Sequence, residues 1–164
     1  MLATGRIRGR WWVIPLSMLA ALALMVVEYP EWMRYARPDW VTLVLFYWCL
    51  AVPQHIGVGT GWILGLLLDV LQFSLLGQHA VGKAFIAMVA NQSHRRLRMY
   101  SLWQQCVVVF IVSSIDIAIV AWVYRLTDNA PILWQYWQSA LTTTLLWPVA
   151  YYLLRRLRRR GGIA

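Results

Sequence analysis

The stretch RIRGRWWVIPLSMLAALALMVV, residues 6–27, decides how this chain must be read. Three arginines (Arg6, Arg8, Arg10) stand against an apolar run that carries no charge before Glu28. Such a run belongs in hydrocarbon, and Lys- or Arg-rich flanks resist translocation, so the basic side stays in the cytoplasm. The same juxtaposition recurs twice. Arg95, Arg96 and Arg98 sit mid-chain, Arg155, Arg156, Arg158, Arg159 and Arg160 close it, and no acidic residue falls in any of the three clusters. Eleven of the fifteen basic residues therefore mark one side of a membrane. The pattern is that of a polytopic membrane protein with both termini inside.

Composition agrees. Of 164 residues, 61% are hydrophobic and 13% charged, far from the average of soluble domains. The net charge of +9 raises nucleic acid as a partner. Basic residues beside apolar spans instead report topology and anionic lipid headgroups, so membrane lipids are expected and nucleic acid is not. The length accommodates a single integral membrane domain, 1–164, with a short basic N-terminus (1–10) and a basic tail (155–164). Residues 6–27 resemble a secretory signal, yet the apolar run is long, a second span follows, and no cleavage site stands out; it reads as a retained first helix. Cys49 and Cys106 lie inside apolar segments and read as small packing residues rather than a disulfide.

Six spans are expected, at about 11–27, 40–52, 57–76, 79–91, 102–124 and 134–154, an all-α helix bundle. The second and fourth are short for a crossing of about 20 residues. The basic segment 94–98 is expected as an inside loop, and 28–39 as an outside one. Eleven tryptophans are many for this length. Trp11, Trp12, Trp32, Trp40, Trp103, Trp134, Trp137 and Trp147 fall near the expected span ends, where indole rings anchor at the interface; an aromatic ligand cage is the alternative.

The third span carries the most pointed pattern. Gly57, Gly61 and Gly65 recur every fourth residue and Asp69 continues the series, which places all four along one slowly drifting helical stripe. Glycines at this spacing let helix backbones approach closely. Packing within the chain is the favoured reading, and a docking groove for a partner is the alternative. Asp69 and Asp116 are the carboxylates inside spans, and Lys83 lies at a comparable depth. Charges there are costly and pair with one another or face a cavity. A Lys83–Asp69 or Lys83–Asp116 pair is expected, with Ser113 one turn from Asp116 as a neutral partner. An interaction or substrate pocket and a proton path are the alternatives, the last weakened because no further carboxylate continues a relay.

Catalytic chemistry has little support. His55, His79 and His94 make no i, i+4 metal pair, and no metalloprotease, nucleophile-elbow or phosphate-loop motif is present. Ser139, Thr142, Thr143 and Thr144 have no base nearby in sequence, so their hydroxyls are expected to bond back to the helix backbone or to a neighbouring helix. Neither cofactor nor metal is expected, nor is the chain expected to be an enzyme.

Arg37-Pro38-Asp39-Trp40, then the run Phe46 to Pro53, then Val58-Gly59-Thr60-Gly61 with Gly65, Leu68-Asp69 and Leu76-Gly77 resemble the MreD family of rod-shape-determining membrane proteins, in particular its proteobacterial members. The similarity continues through Trp103-Gln104-Gln105, Asp116-Ile117 and Leu146-Trp147-Pro148. The resemblance implies a non-catalytic scaffold of the bacterial cell-elongation (rod) complex in the inner membrane. It implies MreC as a direct partner, with MreB, RodA and its partner transpeptidase as complex members, and a role in controlling lateral peptidoglycan synthesis and rod shape. Homo-oligomerisation stays open. It further implies the six-helix arrangement of the substrate-binding subunits of energy-coupling-factor vitamin transporters, which makes such a subunit the alternative function.

The topology is directly testable. A reporter active only in the cytoplasm should work at either terminus, and one active only in the periplasm should work near Asp128. Activity of the periplasmic reporter after Arg160 would overturn six spans.

Overall fold

In a computed structural model the chain is described over residues 11–31, 35–128 and 136–162. Arg6, Arg8, Arg10, Arg34, Trp32 and Trp134 lie outside the described residues. Six α-helices follow one another: α1 Val13–Val26, α2 Trp40–Ala51, α3 Val58–Leu71, α4 Gln78–Leu97, α5 Leu102–Asp128 and α6 Trp137–Arg160. Among the described residues, the stretch Leu102–Leu126 is long and apolar enough by itself to cross a membrane. Helices α1, α2 and α3 are apolar but have 14, 12 and 14 residues.

Helix α2 is the axis of the bundle. Ten of its twelve residues are buried, and α1, α4 and α6 pack around it. A helix apolar on all sides is stable when it is surrounded. Phe46 and Trp48 of α2 are fully buried, and the ring of Phe46 meets Trp147 of α6 edge-on at 5.2 Å. That geometry sets the positive ring edge against the negative face. Trp147 thus belongs to the core and not to the interface expected from its place in sequence. Its indole N–H donates to Gln105 Oε1 at 3.2 Å, the partner a buried Trp needs. Trp11, Trp12 and Trp103 are exposed near helix ends.

Helix α3 ends at Leu71 rather than 76. Phe73 takes a left-handed φ of 51° and Gly77 one of 103°, so the backbone reverses between 72 and 77 and sends α4 back along α3. Helix α4 runs on through the expected basic loop to Leu97, with His94, Arg95 and Arg96 in its last turn, where cations complement the carbonyl end of the helix dipole. Arg98, just beyond, is itself a cap. Its Nε donates to Leu50 O at 2.6 Å and its Nη2 to Ala51 O at 2.7 Å, which satisfies the last carbonyls of α2.

The glycine stripe faces α4. A Cβ on Gly61 would stand 2.5 Å from the carbonyl oxygen of Lys83, and one on Gly65 would stand 2.3 Å from the Cα of Ala80. Gly57 meets Asn91 in the same antiparallel register, at 3.3 Å. The two backbones are therefore in contact, and Gly61 and Gly65 have no room for a side chain. Gly59, off the stripe, has nothing within 4 Å of a built Cβ. Gly65→Leu should lower the yield of folded protein sharply, with a stability cost on the order of 1–3 kcal/mol or more, whereas Gly59→Ala should be neutral. Equal thermal stability of the two variants would contradict this packing.

Candidate functional site

The end of the segment between α1 and α2, Arg37 to Trp40, is tied to three helices. Arg37 donates through Nη2 to the carbonyls of Met25 and, at 3.4 Å, Val27, which caps the open end of α1. Pro38 is buried and offers no N–H that would need a partner. Asp39 is the N-cap of α2. Its Oδ1 accepts the backbone N–H of Thr42 at 2.9 Å and its Oδ2 the Thr42 hydroxyl at 2.8 Å. Trp40 closes the segment with a 3.2 Å bond from its indole N–H to the Tyr29 hydroxyl.

Helix α6 is tied to the same place. The Ser139 hydroxyl donates to Arg37 O at 2.6 Å, and Thr143 Oγ1 accepts the Asp39 N–H at 2.9 Å. Thr142 and Thr144 bond back to their own helix.

Into this segment α4 projects Lys83, which has no solvent exposure. Its ammonium donates to Asp39 Oδ2, to Asp116 Oδ2 at 2.6 Å and to Thr42 Oγ1 at 2.9 Å. An ammonium has three protons, and all three are used. Lys83 therefore clasps α2, α4 and the middle of α5. The carboxylate of Asp116 can come this close because residue 82 is glycine: a Cβ there would lie 1.8 Å from Asp116 Oδ1. Burial alone would raise the pKa of Asp39. The Lys83 ammonium beside it, and the hydrogen bonds from Lys83 and Thr42, outweigh burial and hold this carboxyl below the usual carboxylate range.

Asp69 takes no part in the clasp. With α3 ending at Leu71, it stands in the last turn of that helix, not mid-span, and faces the start of α4. There it accepts Gly77 N–H at 2.8 Å, His79 N–H at 2.9 Å, the Ser74 hydroxyl at 3.0 Å, and pairs with His79 Nδ1 at 2.7 Å. It is in effect an N-cap for α4 supplied by the preceding helix, where negative charge is favoured by the helix dipole. The expected Lys83–Asp69 pair is absent because the turn delivers closer donors. Ser113 Oγ, expected to support Asp116, has no hydrogen-bond partner among the described residues.

A cavity of about 390 Å³ adjoins the clasp, lined by Arg37, Asp39, His79, Asp116 and Tyr136 among others. Asp116 Oδ1, buried against Gly82, has no hydrogen-bond partner among the described residues. No group of three or more His, Cys, Asp or Glu among the described residues could hold a metal ion. What the arrangement does is hold helices: Lys83 with Asp39 and Asp116 joins α2, α4 and α5, and Arg37, Ser139 and Thr143 add α1 and α6.

Asp39, Thr42, Gly82 and His79 take part in these ties, and sequence reasoning singled out none of them for that part. An Asp followed three residues later by Thr, just before an apolar run, is an N-cap signal that would have drawn Asp39 out of the outside loop. Nothing local singles out Gly82.

A family model described as rod shape-determining protein MreD matches residues 6–157. The chain is 30% identical to the rod shape-determining protein MreD of Haemophilus influenzae over 151 residues, which covers 92% of this chain and 93% of that protein. No solved structure matches the chain.

The clasp makes separable predictions. Lys83→Met strands two carboxylates and should cost about 3–5 kcal/mol, as breaking a buried pair does. Asp116→Asn leaves Lys83 with Asp39 and should be milder. Lys83→Met should therefore be partly rescued by Asp116→Asn and not at all by Asp69→Asn. Thermal unfolding in detergent reads the difference, and rescue by the Asp69 change would refute two independent carboxylate sites.

Proposed function

This chain belongs to the MreD family of rod shape-determining proteins, and we propose that it acts as a non-catalytic, multi-pass scaffold of the inner membrane that binds MreC. In this reading it supports an elongation complex with MreB, RodA and its partner transpeptidase, and so helps control lateral peptidoglycan synthesis. The observation that carries the scaffold role is the complete internal use of Lys83: each of its protons is bonded to another helix or its cap. A charge held this way fixes the helices against one another.

The arginine end of the bundle, with Arg95, Arg96 and Arg155 to Arg160, is the cytoplasmic end by the positive-inside rule. The clasp then lies toward the periplasm, where a bitopic partner such as MreC has its bulk. Helices of 12–14 residues reach roughly 18–21 Å at ~1.5 Å per residue. They fit a bilayer that thins locally or through flanking residues that extend to the interface. Family membership lends no support to the vitamin-transport subunit.

The test is complementation. In rod-shaped cells lacking their own family member, the wild-type protein should restore rod shape and co-purify with MreC in detergent. Lys83→Met should lose both, with recovery in Lys83→Met/Asp116→Asn. Proton flux through the purified protein in liposomes, abolished by Asp116→Asn, together with loss of shape at normal protein level, would contradict the scaffold.

A further inference from the structure

At the end of the bundle opposite the clasp, a second cavity of about 380 Å³ opens between α2, α6 and the α4–α5 junction. Its charged lining is Arg98, Arg155, Arg158 and Arg159, and none of the chain's six acidic residues is among its walls. Tyr47, Gln105 and Tyr151 complete the polar surface. Guanidinium groups gathered around one space repel one another, and an anion among Arg98, Arg155 and Arg159 offsets that cost.

The arginines are arranged rather than scattered. Arg98 is anchored by its two bonds to the end of α2, which use two of its five N–H donors and leave three. Arg158 lies within hydrogen-bonding reach of the buried Tyr47 hydroxyl. Arg155 stands 6.0 Å over the ring of Tyr151. Guanidinium groups held along one edge present the other as a planar fork, the geometry that grips two oxygens of one phosphoryl group.

The cavity lies where the apolar part of α6 gives way to charge. Leu145 and Val149 are exposed on that helix, a surface suited to acyl chains. At 3.6 residues per turn, Arg156 and Arg160 continue the Leu145–Val149 face, whereas Arg155 and Arg159 turn toward the cavity. A basic pocket between membrane helices at the cytoplasmic surface is suited to an anionic headgroup.

We propose that this cavity is a phosphoryl-binding site that takes the headgroup of an anionic membrane lipid. The acyl chains remain in the bilayer along α6. Arg155 and Arg159 close on the phosphate, and Arg98 supplies fixed donors from the bundle. The site is independent of the scaffold role and would hold even if MreC binds elsewhere or not at all.

The test exploits the helical offset. Arg155→Gln/Arg159→Gln and Arg156→Gln/Arg160→Gln remove the same charge at the same spacing on the same helix. Protein stripped into neutral detergent is titrated with phosphatidylglycerol or cardiolipin, with phosphatidylcholine as control and with inorganic phosphate and pyrophosphate as soluble sources. Wild type and the 156/160 variant should gain several degrees in melting temperature with the anionic lipids alone, and the 155/159 variant should lose most of that gain. In the wild type, cardiolipin should also shield Arg155 and Arg159 from phenylglyoxal more than it shields Arg156 and Arg160, a readout that needs no variant to fold. Equal gains in the two variants, or equal shielding, would mean a generic basic surface. Stabilisation by phosphate or pyrophosphate and not by lipid, lost in the 155/159 variant, would overturn the lipid assignment in favour of a soluble ligand.

Discussion

A buried ammonium is the constraint from which the rest of this bundle follows. Taking Lys83 out of water costs several kcal/mol, and the cost is recovered only if every proton finds an acceptor in good geometry. Those acceptors come from the cap of α2 (Asp39, Thr42) and the middle of α5 (Asp116), so three helices are fixed at once. The surrounding small residues serve the same end. Gly82 admits the Asp116 carboxylate, and Gly61 lets α3 lie against the carbonyl of Lys83 itself. Without hydrophobic attraction between helices in lipid, such close backbone contacts and a few polar ties are what distinguish one arrangement from the alternatives.

Much of this was legible in the residues, and what was missed has local physical reasons. Apolar runs bounded by arginine clusters predict six helices in order, and the glycine repeat marks a close helix contact. Helix ends are less legible. The apolar character of residues 72–76 continues past Leu71, and only the left-handed turn at Phe73 and Gly77 stops α3, which shifts Asp69 from mid-span to a helix end. Trp147 sits near a span end in sequence yet packs on Phe46, because α6 continues to Arg160 and carries that residue into its middle. Asp39 looked like one more loop charge since hydropathy weighs residues singly, while its role depends on Thr42 three residues on and Lys83 forty-four away.

The two ends of the molecule divide the work. One end holds Asp39, Asp69 and His79, where carboxylates close helix starts and a turn. The other gathers arginines, of which Arg98 caps α2 and Arg155 to Arg160 crowd the last turns of α6. Each placement follows the helix dipole, with negative groups at the N-termini of α2 and α4 and positive groups at the C-termini of α4 and α6. The same separation of charge that stabilises individual helices also sets the orientation expected for the whole in a membrane.

Lys83 locks α2, α4 and α5, with α4 packed against both of the others, into a single cooperative unit. Hydrogen exchange of the purified protein, compared between wild type and Lys83→Met, measures this most directly. Amides at 39–45, 80–86 and 113–119 should lose protection together, because releasing one ammonium frees all three helices. Loss confined to 80–86, with 39–45 and 113–119 as protected as before, would contradict the account.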